Sequence, residues 1–443
     1  MSKKLLLIFP SVDQHKEFHH IPYSSLALAA PLEHLGIDYD IFDERVQDQS
    51  MLPELLRRAS VVGITLYTGY QTYRAYELLK YIKTLNPSLV TIVGGPHATA
   101  LPLQTMECEY VDYVVAGFAD QSFCNLVTDI FEYGRQKHAI CGVFHQGNSF
   151  GDGLELPINK RDHTYSLSLP FHKIDIMKHI NPSTKMATYI TQYGCIGKCT
   201  FCATRSTRKL KQKPLDQVQM DLEKLMSSYP FERLWFTDAT LFSNKKRVFE
   251  ILKYFDKFKN VGWSADVRVD EWVRYSEDEH KKIMRTGGGL LRVAAGLESG
   301  STRVVEAIMK KGKNHLLNFE EAIRKSVRIG VKVVSGLIFG VPGETCEDMS
   351  QTIKYIREIR KIDPTFRLST TFFRPLPGTE LFIILEKRGF IEANSLAQWA
   401  EKGAASHYLY NTWMDIPWMD EVEKSKYKKL YHVFLNEHGD ILV

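Results

Sequence analysis

The 443-residue chain has no apolar run near the ~20 residues needed to cross a bilayer, so no membrane-spanning helix is expected. Its opening, MSKKLLLIFP, sets two lysines before an apolar run of only six, too short and too poorly flanked for a secretory leader; a buried first strand is expected instead. Charge of one sign is also scarce. A net charge of +5 with no basic run gives no electrostatic footprint for nucleic acid. Neither an internal repeat nor a low-complexity segment occurs. Cys108, Cys124, Cys141 and Cys346 stand alone, which argues against a disulfide framework and for small core hydrophobes. The resulting expectation is a cytoplasmic protein, where thiols stay reduced, long enough for more than one core.

The first 145 residues alternate strand-like and helix-like segments. KKLLLIFPS, DYDIFDE, SVVGITLYT, LVTIVGGPHA and VDYVVAG are apolar and rich in β-branched residues, which predicts five strands. YSSLALAAPLEHLG and YRAYELLKYIKTLNPS carry helical spacing and end at glycine and at Asn86-Pro87. Such alternation predicts a parallel sheet covered by helices, with ligands at the carboxyl ends of its strands, where Gly94, Gly95 and Gly117 fall. Residues 146–185 lack a period and are rich in turn residues, as a linker would be. From 186 to 384 a second series predicts six further strands with intervening helices, an open or partial barrel whose working groups sit at the strands' carboxyl ends. Residues 385–443 form a C-terminal extension with a helix over about 418–434.

Three of the seven cysteines crowd into YITQYGCIGKCTFCATRS, at Cys195, Cys199 and Cys202 on the loop leaving the first barrel strand. Gly194 and Gly197 let that backbone fold tightly. A structural zinc site would require a fourth ligand close by. The nearest histidines are His179 before and His280 after. An iron–sulfur cubane held by three thiolates leaves one iron open to a cosubstrate.

The C-x3-C-x2-C spacing, with Phe201 before the last cysteine, resembles the radical SAM signature, and the resemblance continues for about 190 residues. GLESGS (296–301) matches the segment whose glutamate and serine, here Glu298 and Ser299, approach the methionine and ribose of S-adenosylmethionine. GLIFGVPGET (336–345) matches the strand whose glycines, Gly336 and Gly340, let adenine lie on backbone. Asp238 in FTDATLFSN stands where the family has an acidic residue, although Ala239 replaces the usual second aspartate. Arg268 and Arg374 also lie at strand ends and are candidates for the site. FFRPLPGTEL closes the sixth strand as the class does.

The segment from VVGITLYTGYQ to GGPHATALP resembles the cobalamin-binding domain that precedes the barrel in one large class of these enzymes. That likeness implies a corrinoid held above the barrel mouth with its nucleotide tail beside the first sheet, and sets Tyr67, Gly69 and Tyr70 under the cobalt. Asp13-Gln14-His15 is a broken form of a cobalt-ligating phrase, with Phe at 18, so a solvated His15 is expected. GFAD at 117–120 replaces an acidic phrase usual in the class.

The implied fold is therefore α/β, a Rossmann-like cobalamin-binding domain, a partial (β/α)6 radical SAM barrel and a small helical extension. In the class the extension often covers the barrel mouth; packing on the barrel's outside is the plainer alternative. A [4Fe–4S] cluster, S-adenosylmethionine and cobalamin are the implied cofactors. The implied activity is methylation of an unactivated carbon, or phosphorus, of a small intermediate through a 5′-deoxyadenosyl radical, with electrons from a flavodoxin or ferredoxin. Cyclisation, oxidation, rearrangement or aminocarboxypropyl transfer on the same scaffold are alternatives, as is a non-catalytic redox sensor.

Overall fold

The computed structural model describes residues 3–12, 20–146, 167–204, 210–391, 393–404 and 416–438. His15 and residues 147–166 of the expected linker lie outside the described residues. The chain divides into two compact units. One comprises Met1–Asn181, Asp216–Leu225 and Glu392–Leu409; the other comprises Pro182–Leu215, Met226–Ile391 and Tyr410–Val443.

The first unit is built on β1 (Lys4–Phe9), β2 (Asp38–Asp43), β3 (Val61–Thr65), β4 (Val90–Gly94), β5 (Tyr113–Val115) and β6 (Val143–His145). The sheet order is β2-β1-β3-β4-β5-β6, and only β6 runs antiparallel. Leu5, Leu6, Leu7 and Ile8 are consecutive and all buried, which requires that both faces of β1 be covered. Strand β6 goes beyond the five strands expected. It has only three residues, too few for a period, and its pairing of Val143 with Val115 makes it a strand. The chain turns from β2 back across β1 to β3, so the order reverses between β1 and β3. Ligands of open α/β sheets settle outside such a reversal.

In the second unit β7 (Met186–Tyr189) is followed by a short ribbon of β8 (Gln192–Tyr193) and β9 (Lys211–Gln212). The main sheet continues with β10 (Arg233–Phe236), β11 (Gly262–Val267), β12 (Leu290–Ala295), β13 (Lys332–Phe339) and β14 (Arg367–Phe372). Its order is β14-β13-β12-β11-β10-β7, all parallel, the open six-stranded arrangement expected. Alternation fixes which side chains face the helices. Phe236 meets Tyr189, Trp263 and Phe255 of the helix Lys245–Phe255, and Phe255 also meets Trp263, with ring centroids 5.7–6.3 Å apart. Trp235 and Asp266 therefore point to the opposite face, where the Trp235 Nε1–H donates to Asp266 Oδ1 at 3.1 Å.

The C-terminal helix Glu421–His438 packs Tyr431 and Phe434 on Phe339. Phe339 is a buried member of the alternating β13, and Phe339 and Tyr431 both meet Phe372. This is packing against the sheet's helix-covered side. Among the lone thiols, Cys124 is buried as expected of a small hydrophobe, whereas Cys141 is exposed.

Trp263 is fully buried against the rings of Phe236 and Phe255, so Trp263→Ala is expected to cost about 3–5 kcal/mol. Urea unfolding followed by circular dichroism checks this; an unchanged midpoint would contradict the packing described.

Candidate functional site

The cysteine loop is fixed by what surrounds its thiols. The Thr200 N–H donates to the Met309 carbonyl at 3.0 Å and its hydroxyl to the Ile308 carbonyl at 2.7 Å. Phe201 packs against an apolar cluster of Val304, Val305, Met309, Val341, Phe373, Leu381 and Leu385. An aromatic residue before the last cysteine thus pins the loop to the core. The Gly197 N–H donates to Cys195 Sγ at 3.2 Å, and a Cβ at Gly197 would collide with the Arg268 guanidinium.

Cys195, Cys199 and Cys202 are each partly buried. Burial pushes the thiol pKa values of Cys195 and Cys199 up, and the other cysteines' charges add to this. Arg268 pulls both down, and Lys311 also acts on Cys199. Among the described residues no three ligand groups already stand at metal-binding separation. The donor chemistry nevertheless suits a thiophilic centre. Coordination to iron relieves both the burial penalty and the mutual repulsion of the thiolates.

GLESGS forms a shelf beside this loop. Glu298 has φ +67°, a left-handed conformation uncommon outside glycine. Its N–H donates to the Gly336 carbonyl at 3.0 Å, and its carbonyl accepts from Ile338 N–H at 2.8 Å. Lys311 Nζ donates at 2.7 Å both to Glu298 Oε1 and to the Gly296 carbonyl. Both side chains are nearly buried, at 10% and 14% exposed, so the pair offsets two desolvated charges. A Cβ at Gly296 would collide with the Glu298 carboxylate, so glycine there makes the pair possible. Ser299 is buried, sharing a hydrogen bond with Thr352 Oγ1 at 3.0 Å and accepting from Ser301 N–H at 3.2 Å. A Cβ on Gly300 would come within 2.7 Å of Thr352 Cα, so glycine is needed for the shelf to lie on the helix Cys346–Ile362. After the shelf the chain makes a wide π-type turn, Arg303–Ile308, closed by Met309 N–H to the Val304 carbonyl at 2.8 Å. This turn delivers both the Met309 carbonyl and Lys311.

The other expected residues divide by environment. Gly336 has only Ser369 Oγ, 3.6 Å from a Cβ position, before it, and is half-buried. Gly340 is enclosed: its N–H donates to Glu344 Oε2 at 2.7 Å and to Tyr427 Oη at 3.0 Å, and its carbonyl accepts from Trp418 Nε1. Asp238 is fully buried, and Thr191 donates to it from Oγ1 at 2.6 Å and from N–H at 3.0 Å. Its carboxylate anchors the strand entering the cysteine loop. Arg268 donates to Asp270 at 3.1 Å and stands beside Gly197; Arg374 follows β14. Lys311 was not legible in the sequence, since it belongs to no motif and reaches Glu298 only through the wide turn.

In the first unit the loops after β3, β4 and β5 share the carboxyl edge of the sheet. Gln71, buried, spans the reversal: its Nε2–H donates to the Pro10 carbonyl at 2.9 Å and its Oε1 accepts from Tyr67 N–H at 2.9 Å. Gly69 has φ +118° and ψ −147°, a glycine-only conformation, and Tyr70 opens the helix Tyr70–Leu85. A Cβ at Gly95 would lie 2.7 Å from the Leu66 carbonyl. Gly94 lies at the end of β4, and Gly117, at φ +92°, donates to Thr99 Oγ1 at 3.0 Å. A glycine-lined edge at a strand-order reversal fits the backbone approach that a corrinoid with a nucleotide tail needs.

Comparison with known proteins agrees with both halves. Residues 189–356 match the model of the radical SAM superfamily, and residues 15–127 match the B12 binding domain. An uncharacterized methyltransferase, PH0819 of Pyrococcus horikoshii, is 28% identical over 370 residues, 82% of this chain and 78% of that one. Cytidylyl-2-hydroxyethylphosphonate methyltransferase of Streptomyces wedmorensis is 24% identical, with 75% and 67% of the chains covered. The fold is similar to that of the radical S-adenosylmethionine methyltransferase TsrM of Kitasatospora setae, at TM-score 0.70 and 17% identity over 87% of this chain and 76% of that one. It is also similar to that of the cobalamin-dependent radical enzyme OxsB, at TM-score 0.68 and 15% identity over 100% of this chain and 62% of that one.

Burial raises the carboxyl pKa values of Asp266, Glu271 and Glu344 to about 7, and that of Asp238 to about 6. The folded chain thus holds protons that the unfolded chain releases. This stabilisation is full below the ordinary carboxyl range and is lost as pH rises through about 6 to 7. The urea midpoint of the apoprotein is expected to be lower at about pH 8 than at about pH 6. Equal midpoints would show that these carboxyls are not held protonated.

Proposed function

Because this chain belongs to the radical SAM enzymes that carry a B12-binding domain, we propose that it methylates an unactivated carbon, or phosphorus, of a small biosynthetic intermediate. It is a cobalamin-dependent radical SAM methyltransferase whose cofactors are a [4Fe–4S] cluster, S-adenosylmethionine and cobalamin. When bound, the cluster supplies the electron that cleaves S-adenosylmethionine, and cobalamin carries the methyl group. The protein's own work is to hold, orient and exclude water.

Cys195, Cys199 and Cys202 are the ligands of three irons in this reading. Glu298 and the open backbone of Gly336 receive the cosubstrate, with Lys311 pairing with the Glu298 carboxylate and holding its aim. Ser299 serves from within the shelf, and Asp238 and Gly340 serve by fixing the strand ends around the site. Tyr67, Gly69, Tyr70, Gly94, Gly95 and Gly117 line the corrinoid edge. A flavodoxin or ferredoxin is the electron donor we assign, and the cytoplasm is the compartment, where three free thiols and an oxidisable cluster persist.

The observation that carries the reading is the meeting of a three-thiol loop with the Glu298–Lys311 shelf at the carboxyl end of one parallel sheet. Anaerobic reconstitution, iron analysis and assay for 5′-deoxyadenosine with dithionite test it. Replacing any one of the three cysteines with alanine is expected to abolish the 5′-deoxyadenosine; product formed by wild type and variants alike, or by neither, would overturn the assignment. A deuterated methyl donor then reports whether the label reaches product. Lys311→Met, with its iron content intact, is expected to weaken S-adenosylmethionine binding about tenfold or more, because Glu298 loses its counter-charge. Calorimetry measures this, and unchanged affinity would remove Glu298 from the binding site.

A further inference from the structure

The C-terminal extension sends one helix, Leu396–Ala404, into the first unit. Leu396 is buried in the same apolar cluster as Val62, Ile64, Val93 and Ala98. The helix lies along the helix Tyr70–Leu85; its Gly403 bears directly on the 67–70 loop and its Trp399 reaches that loop through His97. Gly403 is pressed on the Gly69 peptide so closely that any Cβ would overlap the Gly69 carbonyl oxygen and approach Tyr70 N at 3.5 Å. Trp399, 2% exposed, donates from Nε1 to Gln104 Oε1 at 2.8 Å and sets its ring edge-on to His97, with centroids 5.5 Å apart. His97, 1% exposed, shares a hydrogen bond from Nδ1 with Thr68 Oγ1 at 2.9 Å, and its N–H donates to the Leu66 carbonyl. His97 is thus fixed beneath the loop through Nδ1, while its Nε2 is buried with no hydrogen-bond partner among the described residues.

Ordinary core packing accounts for Leu396. It does not account for a glycine placed so that the helix can touch the peptide of Gly69, which itself holds a glycine-only conformation. Glycine adopts this conformation freely, so its backbone alone does not fix the loop and the contacts around it must. From inside the sheet Gln71 and Thr72 hold it, through Tyr67 N–H and the Tyr67 carbonyl. From behind, Gly403 and the Trp399–His97–Thr68 chain hold it.

We propose that the helix Leu396–Ala404 is a clamp that positions the Tyr67–Tyr70 loop for the corrinoid, so that Gly403, Trp399 and His97 are positioning residues for cobalamin. This rests on the cobalamin reading of the first unit. It deepens that reading by tying the affinity of an N-terminal site to a segment more than 300 residues later in the chain.

The test uses the full chain and hydroxocobalamin. Gly403→Ala adds one methyl group and raises helix propensity by up to about 1 kcal/mol, so a weakened helix cannot explain a loss. Its dissociation constant for hydroxocobalamin is expected to rise about tenfold, with a shifted visible corrinoid spectrum, while iron uptake on reconstitution and far-ultraviolet circular dichroism match wild type. Trp399→Phe, which keeps the ring but loses the bond to Gln104, is expected to give a smaller shift in the same direction. Glu401→Gln, an exposed change on the same helix, is expected to bind like wild type. Wild type that binds while both variants bind equally well would overturn the clamp and leave the cobalamin reading standing. Wild type that binds no hydroxocobalamin would overturn the reading itself, and the clamp with it. Should Gly403→Ala fail to fold, Trp399→Phe decides alone.

Discussion

A single ammonium group, Lys311 Nζ, holds the carboxyl end of the second sheet together. It neutralises Glu298, ties down the Gly296 carbonyl and adds positive potential at Cys199. Each of those partners would be costly where it stands without it. A nearly buried carboxylate needs a counter-charge, a carbonyl at a turn needs a donor, and a desolvated thiol resists ionising. The group that settles all three is carried on a flexible stem, so the backbone must deliver it to the right place. The wide turn at Arg303–Ile308 does this, and the same turn supplies the carbonyls that hold Thr200. Thiol loop and shelf are therefore anchored by one segment.

How far the sequence discloses this follows from the range of each interaction. Strand order in the second sheet is legible because every βα step is local and right-handed crossovers leave one arrangement. The cysteine loop is legible because its ligands lie within eight positions. Lys311 is not, because it reaches its partners by a departure from regular helical spacing that no periodicity reports. The same holds for Asp238. Its place at a strand end suggests a side chain facing the ligand, yet Thr191, across the neighbouring strand, donates to both carboxylate oxygens, a contact 47 residues away in sequence. Strand β6 escapes for a different reason: three residues hold no alternation, and only pairing with β5 defines them.

The C-terminal extension shows the limit from another side. Its composition of tryptophans, tyrosines and one amphipathic helix is that of a single appendage. In the folded chain it is shared: Leu396–Ala404 belongs to the first unit, and Glu421–His438 lies with β13 and β14 in the second. Apolar content indicates that a segment will be covered; it does not say by which surface.

The π-type turn has one more implication, which concerns spacing rather than chemistry. Each residue added to or removed from a helical turn rotates everything after it by about 100° and shifts it by about 1.5 Å. Removing one residue between Arg303 and Ile308 would restore ordinary winding. It would also swing Lys311 off Glu298 and carry the Met309 carbonyl away from Thr200 in the same movement. Side chains along that turn could be exchanged for others of similar bulk with modest effect, whereas its length admits no such drift. In this stretch the count of peptide units, not their identity, is what heredity must copy faithfully.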